Sequence, residues 1–418
     1  MNWWENSFLK VKGGKLLIGG REAAVFADQF GTPLFIYSRR QIQSNLEKLR
    51  GLFQAVLSPD VRICYALKAN ANLEILEFLK DREVWVDAVS PGEVDIAVQA
   101  GFDPERIIFT GTSVSPEDIE NVFSQTGVIV NIDAVEQLEF MKDVKERLFP
   151  NKRIKVSVRW NPGIGKGFSP KTVTAGQFSL DGTPVKFGVE EKRVLSTFQK
   201  ASRYGFQPVA LHQHLGSGWT EKDLKDVLRA VEKMLHKALE LEKEGFQLEF
   251  LDFGGGFGPQ YAEEQRVFPL KTYAEFIGEN QKKIGLKVKT IALEPGKYLV
   301  GDAGILLMKV EYLKESYGNL FACVNAGTFN TVPRPAIYTQ AHHHIINCDR
   351  ISADKTVEIT VAGNLCETGD VFGKKIQMPQ PKRGDILALL NAGAYCRSMA
   401  SNFNMRAIPD EIVLDDIP

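Results

Sequence analysis

Val61-Arg-Ile-Cys-Tyr-Ala-Leu-Lys68-Ala-Asn-Ala-Asn72 is a largely apolar run that ends in a lysine. A strand of this composition suits a parallel sheet buried on both faces, where an ammonium is costly unless it is paired, neutralised or used covalently. A desolvated lysine has a depressed pKa and forms Schiff bases with carbonyl compounds. Lys68 taken alone reads first as an ordinary strand-end lysine whose ammonium reaches solvent. The rest of the chain decides between the two.

Outward from Lys68 the chain keeps a strand-then-helix cadence. Eight strand-like runs, VRICYALK, EVWVDAV, RIIFTG, VIVNID, IKVSVRWN, VALHQHLG, LEFLDFGGG and TIALEPG, are separated by amphipathic stretches. One of these opens with a capping serine, Ser115, and another runs from Lys222 to Glu244 with apolar residues at helical spacing. Eight such units predict a closed (β/α)8 barrel, whose active site lies at the C-terminal ends of the strands. An open, doubly wound sheet has the same cadence and is the structural alternative. Lys68, Asp87, His214, Gly254 to Gly256 and Glu294 all fall at or just past predicted strand ends.

After Tyr298 the helices thin out, and ILLMKVEYLKE, NLFACVNAG, AIYTQAHHHIINC, KTVEITVAGN and DILALLNAGAY predict a second, all-β domain. The N-terminal LKVKGGKLLIGG and PLFIYS also read as strands. The expected division is a barrel over residues 35–299, and a β-domain built from 1–34 and 300–418. The Gly-, Ser-, Thr- and Pro-rich loop from Asn161 to Val185 is long for a compact barrel and reads either as a lid or as a disordered surface insertion.

At 418 residues, 44% apolar and 25% charged, the chain can bury a large core. A net charge of −1 with both signs interspersed speaks against a nucleic-acid or membrane surface. Five cysteines, Cys64, Cys323, Cys348, Cys366 and Cys396, show no CxxC or zinc-ligand spacing, so a reducing cytoplasmic setting is expected. No basic leader followed by an apolar stretch opens the sequence, and no membrane-spanning run follows.

Three short motifs carry further chemistry. Asp252-Phe-Gly-Gly-Gly-Phe-Gly258 follows an apolar strand, where bare backbone amides can close on a phosphate or simply make a tight turn. It is not a dinucleotide fingerprint, because Pro259 stands where the last glycine of GxGxxG would fall. His212-Gln-His214-Leu-Gly-Ser217 puts two histidines on one strand face. Without a third ligand at matching spacing, a ring stacked on a flat cofactor is preferred to a metal site, beside the default of a core histidine. Glu294-Pro-Gly-Lys297 sets a carboxylate at a strand end, where it can keep a pyridine nitrogen protonated or serve an ordinary turn. His342-His343-His344 falls in a predicted strand, alternates faces and receives no metal role.

YALKAN around Lys68, HxHLGS ending at Ser217, GGGFG, EPG at Glu294 to Gly296, RPAIY at Arg334 to Tyr338, CETGD at Cys366 to Asp370 and GAYxxxMxSxFNxR from Gly393 to Arg406 occur in this order. Together they resemble the fold-type III pyridoxal-phosphate decarboxylases, a group of alanine-racemase-like barrels, and within them most resemble the diaminopimelate decarboxylase family. The resemblance implies that Lys68 carries pyridoxal 5'-phosphate as a Schiff base, that His214 stacks on its ring and that Glu294 meets its nitrogen. It implies phosphate contacts from Ser217, Gly256, Gly296 and Tyr395. Arg334, Tyr338 and Glu367 resemble residues holding the far end of a diamino acid, with Lys297 and Tyr395 beside them. Cys366 matches a cysteine that enters from the second subunit and delivers a proton, so a homodimer with shared sites is implied. The implied reaction is decarboxylation of meso-diaminopimelate to L-lysine and carbon dioxide in lysine biosynthesis. Alternatives are a sister decarboxylase for another diamino acid or a carboxylated polyamine, and an inactive regulatory homologue. Three features depart from the family pattern: Lys297 stands where arginine is usual, Gly218-Trp219 follows HLGS where glutamine is common, and the loop carries an extra stretch from Gly176 to Val185.

Overall fold

A computed structural model describes residues 2–57, 61–352 and 356–416. Two compact units emerge: Glu47–Gly258 with Arg266–Gly296, and Met1–Leu46 with Pro259–Gln265 and Lys297–Pro418.

The first unit is a closed barrel. Its strands are β1 (Val61–Ala66), β2 (Trp85–Ala88), β3 (Ile107–Phe109), β4 (Ile129–Ile132), β5 (Lys155–Asn161), β6 (Gln207–His212), β7 (Phe250–Asp252) and β8 (Thr290–Leu293). Each pairs in parallel with the next, and β8 closes on β1 through Ile291↔Val61, Ala292↔Arg62 and Leu293↔Ile63. Closure decides against the open sheet. Between strands run helices such as Pro116–Ser124, where Ser115 and Asp118 form the reciprocal cap that the sequence predicts. Leu224–Lys243 buries Val227, Ala230, Val231, Met234, Leu235, Ala238 and Leu241, the stripe that its 3.6-residue period dictates.

Period-two alternation then sorts the barrel interior into layers. Cys64, Ile108, Ile129, Ala210, Phe250 and Ala292 cluster with Trp85 in an apolar layer. Two residues further along six of these strands stand Asp87, Thr110, Asn131, His212, Asp252 and Glu294, all buried. The same inward row therefore turns from apolar to polar at the C-terminal end of the barrel.

The long loop after β5 is tied down rather than loose. Asn161 donates from Nδ2 to the Gly176 and Phe187 carbonyls at 3.0 and 3.2 Å and accepts from Gly176 N–H at 2.8 Å. Lys166 N–H donates to Leu215 O at 2.9 Å, Phe168 N–H to Ser217 O at 3.0 Å, and Ser217 N–H to Thr172 O at 3.0 Å. The loop thus lies against the HLGS segment. Gly216, at φ +136°, is required there, since a Cβ would meet the Lys166 carbonyl oxygen at 2.1 Å.

The second unit is built on an eight-stranded sheet and a small three-stranded one formed by Leu9–Lys12, Lys15–Ile18 and Arg21–Glu22. Gly304–Ser316 is its spine, antiparallel to Leu34–Ser38, Asn319–Val324 and Ile386–Leu389. Asp410–Leu414 runs parallel to Leu34–Ser38 on the far edge. Leu34, Ile36, Ile305, Leu307, Ala388 and Leu390 form its core with Phe8, Leu16 and Ile18. One expectation is corrected here. Of AIYTQAHHHIINC only Ile345–Asn347 is strand, so the three histidines lie in coil. Pro335 lacks an N–H for a ladder and sits in the first turn of a short helix, Arg334–Ile337, and His343 spends its ring nitrogens on partners outside any sheet.

Candidate active site

The C-terminal ends of the barrel strands collect five of the sequence-predicted positions, Lys68, His214, Ser217, Gly256 and Glu294, and Gly296 follows directly. Lys68 lies in a 3-10 turn immediately after β1 and is ion-paired with Asp87, the last residue but one of β2, which is fully buried. Glu93, on the helix that follows β2, accepts from Val89 N–H at 2.8 Å. Burial raises its pKa, against the pull of the Val89 hydrogen bond and the Lys68 charge.

Glu294 is the hub of this group. His212 Nε2 is 3.1 Å from Glu294 Oε1, and both side chains are buried. His214 Nδ1 accepts from Gly255 N–H at 3.2 Å and lies 3.4 Å from Glu294 Oε2. Burial opposes ionisation of Glu294, but the His212 charge and hydrogen bond outweigh it and hold the carboxyl well below its ordinary range. The reciprocal holds for His212: burial works against its protonation, and Glu294 more than compensates, so its pKa is raised. His214, whose pKa burial lowers, is the neutral member. Asp252, next to His212 in the β6–β7 register, is pushed up to about 7 by burial and then by Glu294. Arg159 stands across from Asp133, Nη1 to Oδ1 3.7 Å, and burial lowers its pKa.

Several buried polar atoms here have no hydrogen-bond partner among the described residues: Asp87 Oδ1, Asn131 Oδ1, Ser157 Oγ, His212 Nδ1 and Asp252 Oδ2. Orphaned polar atoms are costly in a dry interior, and their concentration at one end of a barrel marks a place built to meet a polar group. The glycine turn shapes the wall. Gly254 has φ +67° and Gly256 φ +118°, and a Cβ on the latter would strike the Trp219 ring at 2.3 Å. His212, Asp252 and Glu294 also bring one ligand atom each within 4.8 Å of one another, a metal-compatible geometry.

The β unit gathers a second group. Lys297 Nζ lies 5.6 Å from the Tyr395 ring centroid, and the Arg334 guanidinium 4.9 Å from that of Tyr261. Lys297 and Arg334 are both buried. Burial pulls the Lys297 pKa well below its ordinary value, and the Arg334 charge lowers it further. Burial also works against Arg334, but Tyr261, Cys396 and Tyr395 outweigh it and raise its pKa. Tyr395 itself has φ +56°, a conformation costly for a side-chain-bearing residue and common at functional positions. Gly393, two residues earlier, has no room for a Cβ, which would lie 1.7 Å from the Val300 carbonyl oxygen. Tyr338 follows the Arg334 helix, its N–H bonded to the Arg334 carbonyl at 2.8 Å. Cys366 and Glu367 are exposed, in the turn before Val371–Pro379. Sequence reasoning assigned no role to Asp87, Glu93, Arg159, Asp252 or His343. For Asp87 and Asp252 the missing signal was the polar ending of an inward-facing period-two row.

A family model described as the pyridoxal-binding domain of pyridoxal-dependent decarboxylases matches residues 39–301. The diaminopimelate decarboxylase of Methanothermobacter thermautotrophicus is 38% identical over 406 residues, covering 96% of this chain and 91% of that protein. Among solved structures, diaminopimelate decarboxylase from Helicobacter pylori complexed with L-lysine aligns with a TM-score of 0.85 at 32% identity, over 94% of each chain. The enzyme from M. jannaschii in co-complex with L-lysine aligns with a TM-score of 0.87 at 30% identity, over 98% of this chain and 93% of that one.

Proposed function

Because this chain belongs to the diaminopimelate decarboxylase family of pyridoxal-dependent decarboxylases, we propose that it removes one carboxylate of meso-diaminopimelate as carbon dioxide and releases L-lysine. Pyridoxal 5'-phosphate brings an aldehyde, a ring nitrogen, a flat ring and a phosphate. The barrel end offers an amine beside a carboxylate, an ionised buried Glu294, the His214 ring, a glycine turn and a set of unsatisfied polar atoms. The two inventories fit. Lys68 would hold the aldehyde, Glu294 the ring nitrogen, His214 the ring face, and Ser217, Gly256, Gly296 and Tyr395 the phosphate.

Bound there, the cofactor supplies the sink for the electron pair left when carbon dioxide departs. The chain's own residues do the rest. Glu294, kept ionised by His212, holds a proton at the ring nitrogen, and Gly255 N–H on His214 Nδ1 fixes the orientation of that imidazole. Asp87 pairs with Lys68 Nζ and Glu93 acts on it through its charge, so the amine has a carboxylate at hand for proton transfer. Cys366 delivers the proton that replaces the lost carboxylate, and its exposure on the β unit suits delivery into the site of a second chain in a homodimer. Glu367 and Tyr338 accompany it at the far end of the substrate.

The observation that carries the substrate is the buried pair of Lys297 and Arg334 in the β unit. Two buried cationic side chains beside one another suit an anion, and diaminopimelate keeps a second carboxylate far from the reacting carbon whereas ornithine does not. A sister decarboxylase for another diamino acid or a carboxylated polyamine is the second reading, favoured by Lys297 where the family has arginine. A cytoplasmic location completes the proposal: five free cysteines suit a reducing compartment, and among the described residues no helix is long and apolar enough to cross a membrane. Steady-state kinetics on meso-diaminopimelate, lysine, ornithine and a carboxylated polyamine test the reading. The expected result is preference for the first, and preference for any other rejects it. Mixing inactive Lys68→Ala and Cys366→Ala proteins should restore activity through the one intact site of the heterodimer, and no recovery after verified subunit exchange counts against shared sites.

A further inference from the structure

His343 lies within a run of three histidines to which neither the sequence nor the proposed reaction gives a task. It is buried in the β unit, and both ring nitrogens are engaged. Nε2 is 3.1 Å from Arg334 Nη1, and Nδ1 is 2.9 Å from the Leu390 carbonyl oxygen. A guanidinium only donates and a carbonyl only accepts, so the two contacts are satisfied together by one tautomer, with the proton on Nδ1 and the lone pair of Nε2 facing Arg334. Tyr261 completes the setting: its ring lies under the Arg334 guanidinium and meets the His343 ring edge-on at 5.6 Å and 89°. Burial, followed by the Arg334 charge, holds the His343 pKa well below its ordinary value, consistent with an imidazole that stays neutral beside a cation.

Leu390 immediately precedes Asn391, which has φ +56°, and five residues on stands Tyr395, also left-handed. One imidazole therefore joins Arg334 to the turn that presents Tyr395. We propose that His343 is a positioning residue for the far carboxylate of the substrate: by accepting from Nη1 and donating to Leu390 it fixes the rotation of the Arg334 guanidinium and so determines which N–H groups remain to face an anion. This rests on the reading of Arg334 given above.

Two substitutions separate this role from simple packing. In His343→Gln the amide oxygen can stand near the Nε2 position and still accept from Arg334, whereas in His343→Asn the amide nitrogen can stand near Nδ1 and keep only the Leu390 bond. L-lysine, which retains the carboxylate that the reaction spares, and 1,5-diaminopentane, which has none, serve as probes of the holoenzyme. His343→Asn should weaken L-lysine about tenfold, the lower end for a hydrogen bond to a charged group, and raise KM for meso-diaminopimelate more than it lowers kcat. Diaminopentane affinity should stay within about twofold, as expected for a ligand that lacks the carboxylate. His343→Gln should recover most of the lysine affinity. Unchanged lysine binding in His343→Asn, equal weakening of both ligands, or a larger defect in His343→Gln than in His343→Asn overturns the proposal. Nitrogen-15 NMR of wild type needs no variant: His343 should show a protonated Nδ1 and an unprotonated Nε2, and the opposite tautomer overturns the proposal as well. If the wild type prefers a different diamino acid, the functional reading falls, and the tautomer and the carboxylate dependence of binding still decide the role of the histidine.

Discussion

In the barrel unit the buried Glu294 is set against His212 at 3.1 Å and has its pKa driven down, whereas in the β unit the buried Lys297 shares its surroundings with Arg334 and has its own pKa driven down too. The same direction of shift has opposite meanings. For the acid it means a charge stabilised inside the protein, and for the lysine a charge discouraged there. The barrel unit holds its ion pair before any ligand arrives. The β unit concentrates cationic groups whose cost the carboxylate of the proposed substrate would offset. Under the proposed function, a cofactor that stays and a substrate that comes and goes call for this difference, since a resident group is served by fixed partners and a transient one by a site it completes.

The first way to break the comparison is to remove the amine proposed to carry the cofactor. Lys68→Ala should abolish turnover while leaving the circular dichroism spectrum intact, and borohydride-trapped cofactor in wild type should be recovered by mass spectrometry on the Lys68 peptide alone. An active Lys68→Ala protein, or cofactor on another lysine, ends the assignment. The second cut falls on the cationic group. Arg334→Ala should lower kcat/KM for meso-diaminopimelate by roughly one to two decades, from the loss of about 1.5–3 kcal/mol of charge-assisted contact, with much less effect on residual lysine or ornithine turnover. Equal losses on all substrates would show that Arg334 supports the fold rather than a carboxylate.

The smallest effect sharpens the picture of the barrel interior. Asp252 titrates at about 7 in the folded chain against 3.8 as an ordinary aspartate, so the folded state binds more protons across that interval. Its contribution to stability is fully present below 3.8 and is lost as pH rises through about 7. Asp252→Asn keeps the neutral shape and an oxygen for the Gly254 N–H. It should match wild type at the acid end, become the more stable protein as pH climbs, and hold a constant advantage above neutrality. Thermal melts from pH 4 to 8 give the answer, and a difference that does not grow with pH would place the raised proton affinity elsewhere.

The eight barrel strands were legible because buried parallel strands announce themselves as short apolar runs: seven predicted runs contain the observed strand, and the eighth, VALHQHLG, overlaps a strand that begins two residues earlier, at Gln207. In the β unit the two-residue strand Arg21–Glu22 and two longer ones were not. Val371–Pro379 carries Gly373, Lys374 and Lys375 and is half exposed, so its strand character comes from pairing with Thr356–Ala362 rather than from its own composition. Asp410–Leu414 is five residues long and finds its partner in Leu34–Ser38, far back in the chain. The histidine run was misread as strand because alternation was the only local pattern available, while the determining contacts, Arg334 to His343 and His343 to Leu390, depend on where other segments lie.

By itself the sequence determined the cadence of the barrel, the change to a β-rich second unit, and the placing of Lys68, His214, Gly256 and Glu294 at strand ends, because strand and helix periodicities are local properties of a few consecutive residues. Tertiary structure alone decided which buried groups became partners. His212, Asp252 and Glu294 are tens of residues apart and meet only because β6, β7 and β8 are neighbours in the sheet, and Lys297 acquires its lowered proton affinity only where burial and Arg334 act on it together. Charge interactions depend on distance through space and on the exclusion of water, and neither is set until the chain has closed on itself.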